Sequence, residues 1–213
     1  MHISKLGKFL TKNKHIGIDI VYDIGASNGQ WTDECSKYLN SDTKFFLFEA
    51  NECHTNTLKE NYKNSYIVLL SDKEKEVNFY SNDSYGDSYY KEITGIYDNI
   101  KPKTLKGETL DYFCVKNKIP DPDLIKIDTQ GSEIDILRGG LNVLLKSKLV
   151  LLEVPIMEYN LGAPKFQDYL DFMIDNGFYP SYISQCYTYG SKLIQADIIF
   201  FNKNLNNKIF TSI

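Results

Sequence analysis

Val21-Tyr22-Asp23-Ile24-Gly25-Ala26-Ser27-Asn28-Gly29-Gln30-Trp31 decides how the rest of this 213-residue chain is read. An apolar run with an embedded aspartate stops at Gly25, and small or polar residues around a second glycine follow. Trp31, Cys35, Tyr38 and Leu39 then recur at helical spacing. The pattern predicts a buried strand, a tight glycine turn and a helix. Ser27 and Gln30 have the S-x-x-Q form of a capping box, which predicts the helix start there. A strand, turn and helix at the front of an α/β sheet form a small-molecule site, because glycines let a ligand approach the backbone.

Outward from this stretch, Lys44–Ala50 and Ser65–Leu70 read as the second and third strands, with a weak helix over 52–62 between them. The Lys44–Ala50 run is almost continuously apolar, as a strand buried on both faces should be. Lys75–Tyr80 alternates as a short strand. Residues 81–104 are rich in Ser, Asn, Asp, Gly and Tyr without a clear period, among them Tyr85, Tyr89, Tyr90 and Tyr97. An irregular stretch that long inside a domain is usually functional or mobile. A short helix opens at Thr109, and Asp123–Asp128 is the fourth strand. A helical repeat follows, broken at Arg138-Gly139-Gly140, and then a fifth strand at Leu149–Val154. A helix over 164–176 and strands near 179–184 and 196–201 close the chain, the last two pairing as an antiparallel hairpin. Alternating strands and helices predict a parallel sheet covered on both faces. The whole reads as one domain, 1–213, with an N-terminal helical extension at 1–18 and an irregular acceptor-side insertion at 81–108.

Composition narrows the partners. The formal net charge is −4 and the pI is about 5.4, which gives no electrostatic footprint for nucleic acid. Arg138 is the only arginine, so bidentate phosphate recognition is not the theme. The four cysteines, Cys35, Cys53, Cys114 and Cys186, form no C-x-x-C and read as reduced thiols of a cytoplasmic protein. No apolar run reaches the roughly 18–20 residues of a transmembrane segment. Ile3, Leu6, Phe9 and Leu10 at helical spacing, with lysines beside them, read as a first helix packed on the sheet in preference to a membrane-surface helix.

Open α/β sheets bind ligands beyond the carboxyl ends of their strands. Asp23 and Gly25, Glu49, Ser71 and Asp72, Asp128, and Glu153 all stand at such ends. Two cofactors use this layout. For NAD, the G-x-G-x-x-G fingerprint would fall on Gly25, Ser27 and Gln30, so two of its three glycines are missing, and Asp23 would oppose the pyrophosphate. S-adenosylmethionine carries a sulfonium and an ammonium, for which Asp23 is attractive. Glu49 can accept hydrogen bonds from ribose hydroxyls of either cofactor. The methyl donor is the favoured reading.

The chain resembles the FkbM family of methyltransferases over about residues 20–203. The resemblance is carried by V-Y-D-I-G-A-S-N-G-Q-W (21–31), F-E-A-N (48–51), L-S-D (70–72) and T-L-D (109–111), and continues in L-I-K-I-D-T-Q-G-S-E-I-D-I-L-R-G-G (124–140), L-L-E-V (151–154) and Q-A-D-I-I-F (195–200). The 124–140 block is the most telling. The resemblance implies a class I methyltransferase fold, a Rossmann-like three-layer sandwich whose seven-stranded, mostly parallel sheet has an antiparallel last strand. It also implies O-methylation, often of a sugar or polyketide hydroxyl, so that the expected partner is a sugar, glycan or other polyhydroxylated small-molecule acceptor. The family commonly has Glu where this chain has Gln130 and Pro where it has Ala50, and Gln130 cannot act as a base.

The candidate donor-binding set is Asp23, Gly25, Ala26, Ser27, Gly29, Trp31, Glu49, Ala50, Asn51, Ser71, Asp72 and Asp128. Asp128 is the first candidate general base and Glu153 the second. Glu133, near a helix start, reads as a carboxylate stabilised by the helix dipole. Asp128, Glu153 and Glu133 could together hold a divalent cation, but no fixed spacing demands it, and the expectation is no metal. Of the histidines, His2 and His15 lie outside the matched stretch, and His54 reads as packed or solvent-facing in preference to lining an adenosine pocket. The tyrosines of the insertion, and Tyr159, are acceptor-side candidates. The rivals are an N- or C-methyltransferase of the same fold and a non-catalytic donor-binding module.

Overall fold

The computed structural model describes residues 3–81, 86–93, 95 and 98–204; His2, Tyr85 and Tyr97 lie outside them. The chain begins with α1 (Ser4–Lys12) and runs through β1 (Ile20–Ile24), α2 (Gln30–Ser36), β2 (Lys44–Glu49), α3 (Thr55–Asn61) and β3 (Ser65–Ile67). Next come β4 (Leu69–Leu70), β5 (Lys75–Phe79), β6 (Lys103–Glu108), α4 (Leu110–Asn117) and β7 (Leu124–Ile127). The second half holds α5 (Glu133–Gly139), α6 (Leu141–Lys146), β8 (Leu149–Pro155), α7 (Phe166–Asp175), β9 (Phe178–Tyr189) and β10 (Lys192–Asn202).

The main sheet has seven strands in the order β3-β2-β1-β7-β8-β10-β9. β1 pairs in parallel with β2 and β7, and β7 with β8, while β10 is antiparallel to both of its neighbours. The last strand is thus the antiparallel one, as expected. It enters between β8 and β9, and the closing hairpin is longer than the periodicity suggested, with only residues 190 and 191 between its strands.

Period-2 alternation separates two cores. Tyr22, Ile24, Phe46, Phe48, Ile125, Ile127, Val150 and Leu152 face α4 to α7 in the larger core. Val21, Leu124, Leu149 and Leu151 face the other way, against Leu6, Phe9, Leu10 and Trp31. The apolar stripe of α1 is therefore filled by protein, with Phe9 stacked on Tyr182 at 5.2 Å between ring centroids. The membrane-surface reading of that helix has no free apolar face left to use. Among the described residues no helix is long and apolar enough to cross a membrane.

Three sequence expectations need correction. The expected third strand is two strands, because β3 stays in the main sheet while β4 turns into a second sheet ordered β4-β6-β5. The insertion expected at 81–108 is not irregular to its end, since Lys103–Glu108 pairs antiparallel with β5 and parallel with β4. The predicted capping box does not form. Ser27 sits at φ +49°, and Gly29, in the left-handed region, takes the N-cap of α2 without a side-chain bond. Ser27 belongs to the turn, where its backbone serves a different partner.

The helix break at Arg138-Gly139-Gly140 is borne out, with α5 ending at Gly139 and α6 starting at Leu141. Close packing explains the glycines. A Cβ on Gly139 would lie 2.1 Å from the Ser71 carbonyl oxygen, and one on Gly140 would meet the Leu110 side chain at 2.7 Å. Backbone cannot retreat as a flexible side chain can. Gly139→Ala should therefore destabilise the protein by about 1–3 kcal/mol, lowering the melting temperature by roughly 5 °C in a calorimetric scan.

Candidate active site

A cleft enclosing about 1180 Å³ of empty space, part of it open to solvent, runs along the carboxyl ends of β1, β2, β7 and β8. One end is walled by Gly25–Asn28, Trp31, Glu49, Ala50 and His54, with Val68, Leu69, Leu70 and Phe79 as an apolar side. At the other end stand Ser88 and Tyr89, Asp128–Gln130, Glu153, Tyr187 and Gln195, while Asp87 reaches back to Asn51 beside Glu49.

The first end is organised by Glu49. Its two carboxylate oxygens each accept one backbone N–H, from Ser27 at 2.7 Å and from Asn51 at 2.8 Å. Burial pushes this carboxyl above its usual range, and the two N–H bonds oppose the shift. Each oxygen keeps a lone pair, so the group can still accept two hydroxyls. The backbone N–H groups of Gly25 and Ala26 both donate to the Phe48 carbonyl, at 2.9 and 3.1 Å, and so tie the turn to β2. Ser27 Oγ lies 3.4 Å from His54 Nε2. His54 therefore does line the cleft, contrary to the packed or solvent-facing reading.

One expectation about the turn fails. Asp23 does not line the cleft. It is fully buried and forms an ion pair with Lys126 Nζ at 2.9 Å, while Thr32 Oγ1 donates to it at 2.7 Å. The Lys126 ammonium also donates to the carbonyls of Gly25 at 2.9 Å and Ile24 at 3.3 Å, and it lies 5.8 Å from the Trp31 ring centroid. Burial works against its charge, but Asp23 above all, then Asp128, hold its pKa above the ordinary value. Asp23 thus serves a lysine, not a ligand. The space beside the Gly25 and Gly29 Cα atoms is filled by protein, so these glycines are needed for packing within the fold. A Cβ on Gly25 would lie 1.9 Å from the Asp128 carbonyl oxygen, and one on Gly29 would lie 2.3 Å from the Tyr62 ring.

The other end is organised by Gln130, at φ +53°. Its amide donates to Asp128 Oδ1 at 3.0 Å and to Glu153 Oε2 at 2.5 Å. Gln195 donates to the second Glu153 oxygen and accepts from the Tyr159 hydroxyl at 2.8 Å. Burial, then the charges of Asp128, Glu133 and Asp197, hold the Glu153 carboxyl well above the usual carboxylate range, and it hydrogen-bonds Asp128. Asp197 stands opposite Glu153 in the β8–β10 register, and burial and Asp128 push it up to about 7. Glu133 does structural work. It accepts from the N–H groups of Thr129 at 2.7 Å and Gly131 at 3.0 Å and from the Tyr169 hydroxyl at 2.5 Å, fixing the 129–132 turn. Among the described residues no three His, Cys, Asp or Glu side chains are grouped to hold a metal ion.

The insertion is pinned over this end where it is described. Ser88 Oγ and Asn160 Nδ2 both donate to the Gln130 carbonyl at 2.8 Å. Tyr89 and Tyr90 both donate to Asp135 Oδ2, at 2.9 and 2.6 Å. Asn51 donates to Asp87 at 2.6 Å, so it ties the β2 loop to the insertion and does not line the cleft. Ser71 is fully buried beside Gly139, and Asp72 pairs with Lys75 at 2.6 Å; both lie off the cleft wall. Of the expected residues the cleft thus unites Gly25, Ala26, Ser27, Trp31, Glu49, Ala50, Asp128 and Glu153, and leaves out Asp23, Gly29, Asn51, Ser71 and Asp72.

Lys126, Gln195 and Tyr187 also stand on the cleft wall, outside the residues expected from the sequence, and Gln130 does more there than fill the place of a base. A signal existed for two of them. Lys126 is a lone charge inside the buried run Leu124–Ile127, and Gln195 alternates with Asp197 on one strand face.

A family model described as the methyltransferase FkbM domain matches residues 23–180. The 2-O-methyltransferase NoeI of Sinorhizobium fredii is 24% identical over 72% of this chain and 70% of its own length. The hexuronic acid methyltransferase AglP of Haloferax volcanii is 26% identical over 64% of this chain, and the match spans only 56% of that protein. The magnesium protoporphyrin IX methyltransferase ChlM of Synechocystis, solved with S-adenosylmethionine bound, shares the fold at a TM-score of 0.54, with 9% identity over 94% of this chain and 77% of that one.

The buried ion pair makes a direct prediction. Lys126→Met strands Asp23 in the core and should cost about 3–5 kcal/mol in urea unfolding. Adding Asp23→Asn to that variant should restore most of the loss.

Proposed function

The chain belongs to the FkbM methyltransferase family, and from that membership we propose that it methylates a hydroxyl of a sugar or another small polyhydroxylated acceptor, with Asp128 as the general base. The observation that carries the proposal is that one cleft holds both Glu49 and the Asp128–Gln130–Glu153 cluster. The printed names of the two curated relatives, a 2-O-methyltransferase and a hexuronic acid methyltransferase, support oxygen as the methylated atom and a sugar as the acceptor.

S-adenosylmethionine supplies an activated methyl carbon. The residues present fit it better than a dinucleotide. Glu49 keeps acceptor capacity for two ribose hydroxyls, and Val68, Leu69, Leu70 and Phe79 offer an apolar wall for a flat base. Lys126, the lysine on the cleft wall, is already committed to Asp23 and two carbonyls, so it is not available to a pyrophosphate. Gly25, Ala26, Ser27, Trp31, Glu49 and Ala50 are the residues that would hold the donor.

The chain's own contribution is position and one proton transfer. Holding donor and acceptor at near-attack distance is worth about 7–11 kcal/mol. Of the two candidate bases, Glu153 takes up a proton most readily, because burial and its acidic neighbours disfavour its charge. Protonated, it cannot accept a second proton, which leaves the role of base to Asp128. Gln130 fixes both carboxyl groups through one amide, and its carbonyl holds the insertion and the Asn160 segment over them. The acceptor hydroxyl gives its proton to Asp128 as the new carbon–oxygen bond forms.

The four cysteines form no disulfide among the described residues and two of them are exposed, which supports a cytoplasmic, reducing setting. Residues 1–213 are read as one methyltransferase domain, supported by the packing of α1 into the same core as β1, β7 and β8.

Two substitutions separate donor binding from chemistry. Glu49→Gln should weaken S-adenosylhomocysteine binding, measured by calorimetry, by tenfold or more, about 1.4 kcal/mol. Asp128→Asn should lower kcat by roughly 10²–10⁴-fold and leave donor affinity within a few fold. Full turnover in Asp128→Asn would remove Asp128 as the base.

A further inference from the structure

We propose that the acceptor hydroxyl is carried by an electroneutral sugar ring, and that this site rejects rings bearing a carboxylate or phosphate near that hydroxyl. The inference rests on the sugar O-methylation reading above and narrows it.

Acidic groups outweigh free basic ones around the acceptor end. Asp128 and Glu153 line it, and Asp197 stands beside Glu153 on the neighbouring strand. Lys126 reaches the cleft wall, but its ammonium is bound to Asp23, Gly25 and Ile24. His54 lies at the donor end against Ser27. Basic groups near the rim are also engaged. Lys91 pairs with Asp98 at 3.5 Å, Lys75 with Asp72 at 2.6 Å, and Arg138 with Asp135 at 3.2 Å. The other described lysines of the insertion, Lys101, Lys103 and Lys106, are exposed and lie off the cleft wall, and Lys106 pairs with Glu74 at 3.4 Å.

An anionic substituent entering this end would therefore meet Asp128 without a counter-ion, and like charges brought together in a half-buried site repel strongly. Neutral hydroxyls find the opposite. Gln130, Gln195, Ser88 and Tyr187 supply amide and hydroxyl groups that donate or accept as needed. The rise of the Asp197 carboxyl to about 7 agrees with this balance, since burial and Asp128 already disfavour one more negative charge there.

The test uses matched methyl glycosides of gluco, galacto and manno configuration, each as hexose, hexuronic acid and hexose 6-phosphate. Turnover is read as methyl transfer from labelled S-adenosylmethionine. Affinity for the enzyme saturated with S-adenosylhomocysteine is read from the fluorescence of Trp31, the single tryptophan, which lines the cleft. The expected result is a neutral hexoside that is methylated, with its uronate and phosphate partners at least roughly a hundredfold lower in kcat/KM. Asp197→Asn should narrow that gap by roughly threefold, because it removes one of the opposing acids. A uronate or phosphate accepted as well as its neutral partner overturns this inference and leaves sugar O-methylation standing. Failure of every sugar to accept methyl, with donor binding intact, overturns both.

Discussion

A single buried ammonium sets the geometry on which this site depends. Lys126 comes from the middle of an apolar strand, and a cation there is tolerable only if paired and hydrogen-bonded. Asp23 on the next strand supplies the charge, and the carbonyls of Ile24 and Gly25 supply two further acceptors. The side chain thereby grips the turn that leaves β1 and holds it against β7. The turn in turn delivers the Ser27 N–H to Glu49, which orients the carboxylate at the end of β2. A buried ion pair of this kind is weak grounds for stability, because desolvation offsets much of the attraction. Its value here is register, since one side chain fixes where a strand end, a turn and a carboxylate stand relative to each other.

The second organising group is neutral. Gln130 works through side chain and backbone alike, its side-chain amide between Asp128 and Glu153 and its main-chain carbonyl under Ser88 and Asn160. Its left-handed backbone makes this possible, and Glu133 holds that turn through two backbone N–H groups. Carboxyl groups this close to one another cannot all be ionised without cost, so burial drives the proton onto Glu153. The same crowding of acids shapes what the cleft can admit.

Much of the fold was legible in the sequence. Strand runs, glycine stops and the broken helix at Gly139-Gly140 are local patterns, and period 2 against period 3.6 separates them. The errors lie where local pattern and tertiary context disagree. Ser27 and Gln30 match a capping box, but Ser27 takes a positive φ because its N–H is needed by Glu49. Lys103–Glu108 looks irregular alone and becomes a strand only between β4 and β5. Within the site, Glu49, Asp128 and Glu153 were readable because strand ends are readable. Asp23 was assigned to a ligand because its partner lies far along the chain, in a strand whose pairing the sequence does not announce. Gln195 escaped for the same reason, since β10 reaches Glu153 only after returning antiparallel to β8.

The central claim is that the turn after β1 and Glu49 together form the donor site. A crystal structure of the protein with S-adenosylhomocysteine tests it most directly. The account predicts the ribose hydroxyls on the Glu49 carboxylate, with Lys126 still bound to Asp23. A product molecule seated elsewhere, or one whose ribose leaves Glu49 untouched, would contradict it.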